Sequence, residues 1–288
     1  MDSLLTAKRD FPWHGWLGLA LMATFWALNW GLEGLRTHWG FFPMWLGYCL
    51  LVDGLVYFRT GTSLLRRSWR RYSGLFLVSA PAWWLFEALN RRLQNWIYLG
   101  GEQFSQLEYF SLATLSFTTV IPAVFGSAEL LSSFSFWKGV KGGPRIHPDR
   151  KTTLIFFFTG WLMFGLMLVW PKTFFPFIWI SVYFILEPLN VWLGNRSLAQ
   201  YTGERNWRPV LALWGGVLLT GFFWEMWNFF SYPKWVYQVP WGNCCHVFEM
   251  PLLGYGGYLP FALELFALYH LVAGLLKAGD RDYIRLVE

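Results

Sequence analysis

Charge is what this chain of 288 residues has least of. Lys, Arg, Asp and Glu together make up 14%, against about 25% in a soluble globular domain. That is too little to coat a water-facing surface, and it also excludes disorder and coiled coil. Cysteine is nearly absent: Cys49, Cys244 and Cys245 do not make a disulfide framework. HExxH, GxSxG, P-loop and GxGxxG motifs are missing. The adjacent pair Cys244-Cys245 before His246 lacks the spacing of a metal site, so neither metal nor other cofactor is expected. The first apolar run lacks a small-residue cleavage site, so no cleavable signal peptide is expected.

What is present is apolar and aromatic. Hydrophobic residues reach 55% and aromatics 22%, with 21 Trp and 28 Phe. The class that remains is an all-α polytopic membrane protein. Runs of roughly 20 apolar residues predict eight spans, at about 14–34, 41–58, 73–90, 108–133, 153–171, 174–194, 209–230 and 249–277. With eight spans, the segments 1–13, 59–72, 134–152, 195–208 and the C-terminus fall on one side and carry 18 of the 23 Lys and Arg. Arg36, Arg91, Arg92, Lys172 and Lys234 fall on the other. The positive-inside rule therefore predicts a multi-pass protein of the cell membrane with both termini cytoplasmic. The net charge of +6 is accounted for by these loops, and no basic face with interleaved aromatics suggests nucleic acid.

The chain also repeats. Trp45-x7-Asp53-x9-Ser63 recurs as Trp179-x7-Glu187-x9-Ser197, at an offset of 134. Glu87-x-x-Asn90 recurs as Glu225-x-x-Asn228, and Trp96-x-Tyr98 as Trp235-x-Tyr237. Glu108, Pro122 and Glu129 match Glu249, Pro260 and Glu264. Acids are scarce, so their ordered pairing carries more weight than the aromatic matches. The expectation is a tandem parallel repeat of four helices each, with a pseudo-two-fold axis along the membrane normal. Its parts are 1–133, a basic linker over 134–152, and 153–288.

An ionisable group inside a span is costly and commonly faces the bundle interior with a task. Glu87 and Asn90, one helical turn apart, share a face. So do Glu225 and Asn228. Glu108 and Glu249 open the following spans at the same level. Asp53, Glu187, Glu129 and Glu264 lie deeper. Each acid could instead serve as an interhelical hydrogen bond that holds the bundle together, and Asp53 and Glu187 are each followed by a loop with Arg and Ser. What distinguishes the first group is its aromatic company, Trp84, Trp96 and Tyr98 in one half and Trp224, Trp227, Trp235 and Tyr237 in the other. A carboxyl among aromatics can be kept neutral as an acid, and aromatic faces stabilise a cation. That combination suits protonation of an olefin and guidance of the resulting carbocation.

The acid, the W-x-Y and the following Glu108-Tyr109-Phe110 or Phe248-Glu249-Met250 run resemble the membrane-integral lycopene cyclases of the fused or heterodimeric type. In those, two similar multi-helix domains each carry an acid, a W-x-Y and a Pro-Glu-Glu-aromatic run. The likeness covers about 87–110 and 225–250; the second Glu and the preceding Pro are absent here. It implies that Glu108 and Glu249 correspond to the acid pair, and Glu87 and Glu225 to the upstream acid. Taken together, the sequence predicts a cofactor-independent enzyme acting on a membrane lipid of isoprenoid type, by protonation, cyclisation or isomerisation. Glu225 or Glu249 would be the proton donor and Asn228 its orienting group. A proton-coupled transporter, a lipid-binding carrier and an interaction subunit are the alternatives.

Overall fold

The structure is a computed structural model that describes residues 9–32, 37–135, 140, 142–278 and 282–287. Lys8, Arg36, Lys138, Lys141 and Arg281, which entered the charge count, lie outside the described residues.

The first half runs α1 (Trp13–Gly31), α2 (Thr37–Thr60), a single turn α3 (Leu64–Arg67), α4 (Trp69–Leu93), β1 (Trp96–Leu99), α5 (Gln106–Phe117) and α6 (Val120–Ser132). The second runs α7 (Arg150–Val169), α8 (Pro171–Phe174) with a following 3-10 turn, α9 (Ser181–Trp192), α10 (Leu198–Thr202), α11 (Arg208–Phe229), β2 (Lys234–Tyr237), a small hairpin of β3 (His246–Val247) and β4 (Met250–Pro251), and α12 (Tyr255–Leu275).

Local chemistry sets the helix starts. Ser63 and Ser68 accept from the backbone N–H of Arg66 and Arg71, capping α3 and α4. Asp149 caps α7 through the Thr152 N–H at 2.9 Å, and that bond holds its carboxyl below its ordinary value. Between α5 and α6 the Thr118 and Thr119 hydroxyls turn back to the carbonyls of Leu115 and Ser116, and the helix is interrupted there.

Among the described residues, five segments are long and apolar enough to cross a membrane: 38–60, 106–132, 150–169, 208–229 and 252–275. A sixth is formed if the pair Pro171–Trp179 and Ser181–Trp192, bent by 40°, counts as one span. The structure is thus that of a helical, multi-pass membrane protein with five to six such spans. Helices also occupy the other two segments expected from sequence. However, α1 carries four Trp with His14 and Asn29, and α4 carries Arg70, Arg71, Glu87, Arg91 and Arg92, so neither is as apolar as the rest. Large apolar side chains such as Leu77, Phe158 and Leu162 point outward, as lipid-facing residues do.

The centre of the bundle is made by α2, α4, α6, α9, α11 and α12, with α1 laid on α2 and α7 on α9. Several helix contacts are backbone-close, two of them at Gly18 and Gly216. A Cβ at Gly18 would come within 2.4 Å of the Leu51 amide nitrogen, and one at Gly216 within 2.5 Å of the Ala128 nitrogen. Small residues are what let helices in lipid gain van der Waals contact, since burial from lipid supplies no hydrophobic drive. The two halves are also joined by main-chain bonds. β1 pairs antiparallel with β2, setting Trp96 opposite Tyr237 and Tyr98 opposite Trp235.

Candidate functional site

The ends of α4 and α11 deliver the same constellation twice. Asn90 accepts from the Asn95 N–H at 2.8 Å and donates to the Trp96 carbonyl at 2.8 Å. Asn228 accepts from the Trp235 N–H at 2.9 Å and donates to the same residue's carbonyl at 2.8 Å. Each buried amide therefore fastens a strand to the helix before it, satisfying main-chain groups that would otherwise be orphaned. Its bonds go to backbone, and Glu87 and Glu225 are held by other groups.

Glu87 is half-buried, and its Oε1 accepts from the indole N–H of Trp83 and Trp96 at 3.0 Å each and from the Tyr98 hydroxyl at 2.6 Å. Glu225 is fully buried; its Oε1 accepts from the hydroxyls of Tyr237 and Tyr258 at 2.7 Å each. Its Oε2 has no partner among the described residues. The Trp235 indole donates to the Tyr237 oxygen at 3.0 Å. Burial, then the neighbouring carboxyl, push the hydroxyls of Tyr98 and Tyr237 well above their ordinary range. Both remain O–H groups at neutral pH.

These tyrosines face a cavity of about 190 Å³ between the two halves of the chain. Trp83, Trp96, Trp179, Trp224, Trp235 and Tyr258 stand in its wall. Trp179 stacks on Trp96, ring centroids 5.8 Å apart. Neither Glu87 nor Glu225 lines the cavity; each stands behind a tyrosine that does. Lys234 reaches the wall, and its ammonium is ion-paired with Glu249.

Five of the aromatics expected from sequence thus line one cavity: Trp96, Tyr98, Trp224, Trp235 and Tyr237. Two stand elsewhere. Trp84 stacks on Phe110 and donates to Thr114, on the α5 side. Trp227 is fully buried against Trp26, Trp45 and Tyr48. Glu108 is exposed and completes a capping box, its Oε2 accepting from the Ser105 N–H at 2.9 Å and the Ser105 hydroxyl at 2.7 Å.

Tyr258, Trp179 and Lys234 were not legible as cavity residues. Trp179 was visible only as a repeat marker. Tyr258 has one faint signal: the position 138 residues after Trp83 is Gly221, and the vacated volume is where the Tyr258 ring lies. A second Glu225 donor thus takes the place that Trp83 has at Glu87.

The deeper acids tie the chain together. Asp53 accepts from the Ser63 hydroxyl at 2.7 Å and the Leu65 N–H at 3.0 Å, with the His14 imidazole 3.0 Å away. Glu187 accepts from the Ala199 N–H at 2.7 Å. Glu129 pairs with Arg67 and accepts from the Arg285 N–H at 2.7 Å, and Glu264 accepts from the Val182 N–H at 3.2 Å. Cys244, Cys245 and His246 are exposed, and the His246 ring bonds to Asn243 at 2.9 Å. No group of three or more metal-ligating side chains occurs among the described residues.

Comparison with protein-family models, with curated proteins and with solved structures finds no match for this chain.

Proposed function

We propose that the protein is an intramembrane acid–base enzyme acting on an unsaturated lipid of isoprenoid type. The observation that carries this reading is the aromatic cavity backed by two tyrosine–glutamate pairs, Tyr98–Glu87 from one half and Tyr237–Glu225 from the other. A largely apolar wall accepts a polyene, and the Tyr98 and Tyr237 hydroxyls bring the two carboxyls to it. A proton delivered from the Tyr237–Glu225 side to a double bond leaves a carbocation, which indole faces stabilise by about 2 kcal/mol or more when water is excluded. Loss of a neighbouring proton to the Tyr98–Glu87 side closes the sequence as an isomerisation or cyclisation with no change in composition. This assignment favours Glu225 over Glu249, since the Glu249 carboxylate is neutralised by Lys234.

The architecture that goes with it is a tandem repeat, 1–133 and 153–288, with the basic loops and both termini on the cytoplasmic side. Three matched details support it. The Trp96–Tyr237 pairing becomes Trp235–Tyr98 when the halves are exchanged, which is the register a two-fold axis requires. Asn90 and Asn228 hold equivalent strands. Asp53 and Glu187 accept from the equivalent amides of Leu65 and Ala199.

The test is product formation by the purified full chain, supplied with candidate polyenes in lipid nanodiscs, with Glu87→Gln and Glu225→Gln alongside. Loss of product in both variants is expected. Unchanged product would overturn the reading. A polyene that binds and is recovered unaltered by the wild-type protein would make the cavity a carrier site.

A further inference from the structure

A second cavity, of about 230 Å³, lies at the opposite end of the helices. It sits where α12 ends, where the chain leaves α9, and where α4 begins. Tyr258 lines the aromatic cavity and Ala273 this one, which separates the two by about 22 Å along α12 at 1.5 Å per residue.

Its chemistry is the reverse of the first. Arg71, Arg196 and Lys277 line it with His270 and Asn195, and none of its described lining residues is acidic. Arg196 is only 7% exposed. Its Nη1 donates to the Ile284 carbonyl at 2.6 Å and its Nε to the Tyr201 hydroxyl at 3.1 Å. Those bonds use two of the five guanidinium N–H groups, and no carboxylate pairs with this charge among the described residues. A buried cation left without a counter-charge is strongly unfavourable, and such groups are normally paired. His270, also buried, donates from Nδ1 to the Phe266 carbonyl at 2.8 Å, so Nε2 bears a lone pair and is not one of the cavity's donors. The C-terminal segment closes the site from one side: the Tyr283 ring is 3% exposed and its hydroxyl donates to the Leu64 carbonyl at 3.1 Å.

We propose that this cavity is a binding site for a phosphate-type oxyanion. Several convergent donors, among them a planar guanidinium fork, are suited to a group that presents three oxygens in different directions. The same chemistry is offered by the headgroup of an anionic phospholipid and by inorganic phosphate. Basic pockets between membrane helices commonly hold the former. The site does not depend on what the aromatic cavity does.

The experiment uses the purified full chain in two arms. In neutral detergent, the melting temperature is followed as inorganic phosphate is added against chloride at equal ionic strength. In nanodiscs of phosphatidylcholine with and without phosphatidylglycerol, native mass spectrometry reads which phospholipid stays bound. The expected result is a saturable rise in melting temperature, selective retention of phosphatidylglycerol, or both. A lipid-only result identifies the headgroup as the source, and a phosphate-only result the free anion. Lys277→Gln, a change at an exposed lining residue, should weaken the response about tenfold, the loss of one charged hydrogen bond. Lys172→Gln, an exposed change near the other end, should leave it unchanged. Absence of response in both arms overturns the proposal, as does wild-type binding by Lys277→Gln.

Discussion

Gly221 and Tyr258 fit one another: a Cβ on Gly221 would come within 2.6 Å of the Tyr258 ring, whose hydroxyl donates to Glu225 at 2.7 Å. The absence of a side chain on α11 is therefore what admits a second tyrosine to the buried acid. At Glu87 that second donor is the Trp83 indole. The two carboxyls occupy matched places with unequal donors, and unequal environments are what separate an acid from a base in a pair of titratable groups.

Gly221→Ala should displace the Tyr258 ring and so behave like Tyr258→Phe. For the proposed acid–base reaction, both are expected to lower turnover by roughly 100-fold, the lower end of the usual contribution of general acid–base catalysis. Steady-state product assays on the two variants check this. A Gly221→Ala enzyme with wild-type turnover would show that the close approach has no bearing on the acid.

Asn228→Ala removes both bonds that seat the Trp235 strand on α11. The expected cost is about 1–3 kcal/mol for leaving buried main-chain groups unpaired. Thermal unfolding in detergent reads it, and Asn90→Ala should show a loss of similar size in the other half.

Gly216→Leu should be among the most destabilising changes at a helix contact. The new side chain would meet the backbone of Ala128 on α6, which cannot rotate away as a flexible side chain can. Overpacking of this kind costs about 1–3 kcal/mol or more, seen as a lowered melting temperature. Gly165→Leu is the control, because its Cβ would meet nothing within 4 Å.

Glu108→Ala should cost the α5 capping box alone, about 0.5–1 kcal/mol. Product formation should persist, because this exposed carboxyl bonds to Ser105 outside the cavity lining. Abolished turnover in a folded Glu108→Ala protein would move the acid role away from Glu225.

Alkali should destabilise the protein through Tyr98 and Tyr237. Their folded hydroxyls titrate well above the ordinary value of 10.0, so the unfolded chain releases these protons first. Their contribution is fully present below about pH 10 and is lost as the pH climbs through and beyond it, because the unfolded state then binds fewer protons. Melting temperatures from about pH 8 to about pH 11 should fall less steeply for Tyr98→Phe/Tyr237→Phe than for wild type. An unchanged slope would contradict the assignment.

Much of this was legible in the sequence because it depends on composition and spacing. Scarce charge and long apolar runs determine a multi-pass helical membrane protein, whatever the packing. The i, i+3 spacing put Glu87 beside Asn90 and Glu225 beside Asn228, and the W-x-Y spacing put Trp and Tyr on one face of each strand. That is why the four aromatics of the two W-x-Y strands line one cavity, with Trp224 beside them. Tertiary structure decided the rest. Which atom an amide or carboxyl bonds depends on what the fold brings to it, so Asn228 went to a strand, Glu249 to Lys234 and Glu108 to its own helix cap. Tyr258 reached the cavity because α11 has no side chain at Gly221, and Trp179, in the turn after α8, because its ring stacks on Trp96. The basic cavity collects Arg71, Arg196 and Lys277 from three places up to about 200 residues apart in sequence. No local pattern marks such a meeting, since spacing along a chain specifies a face of one element and only packing specifies what faces it.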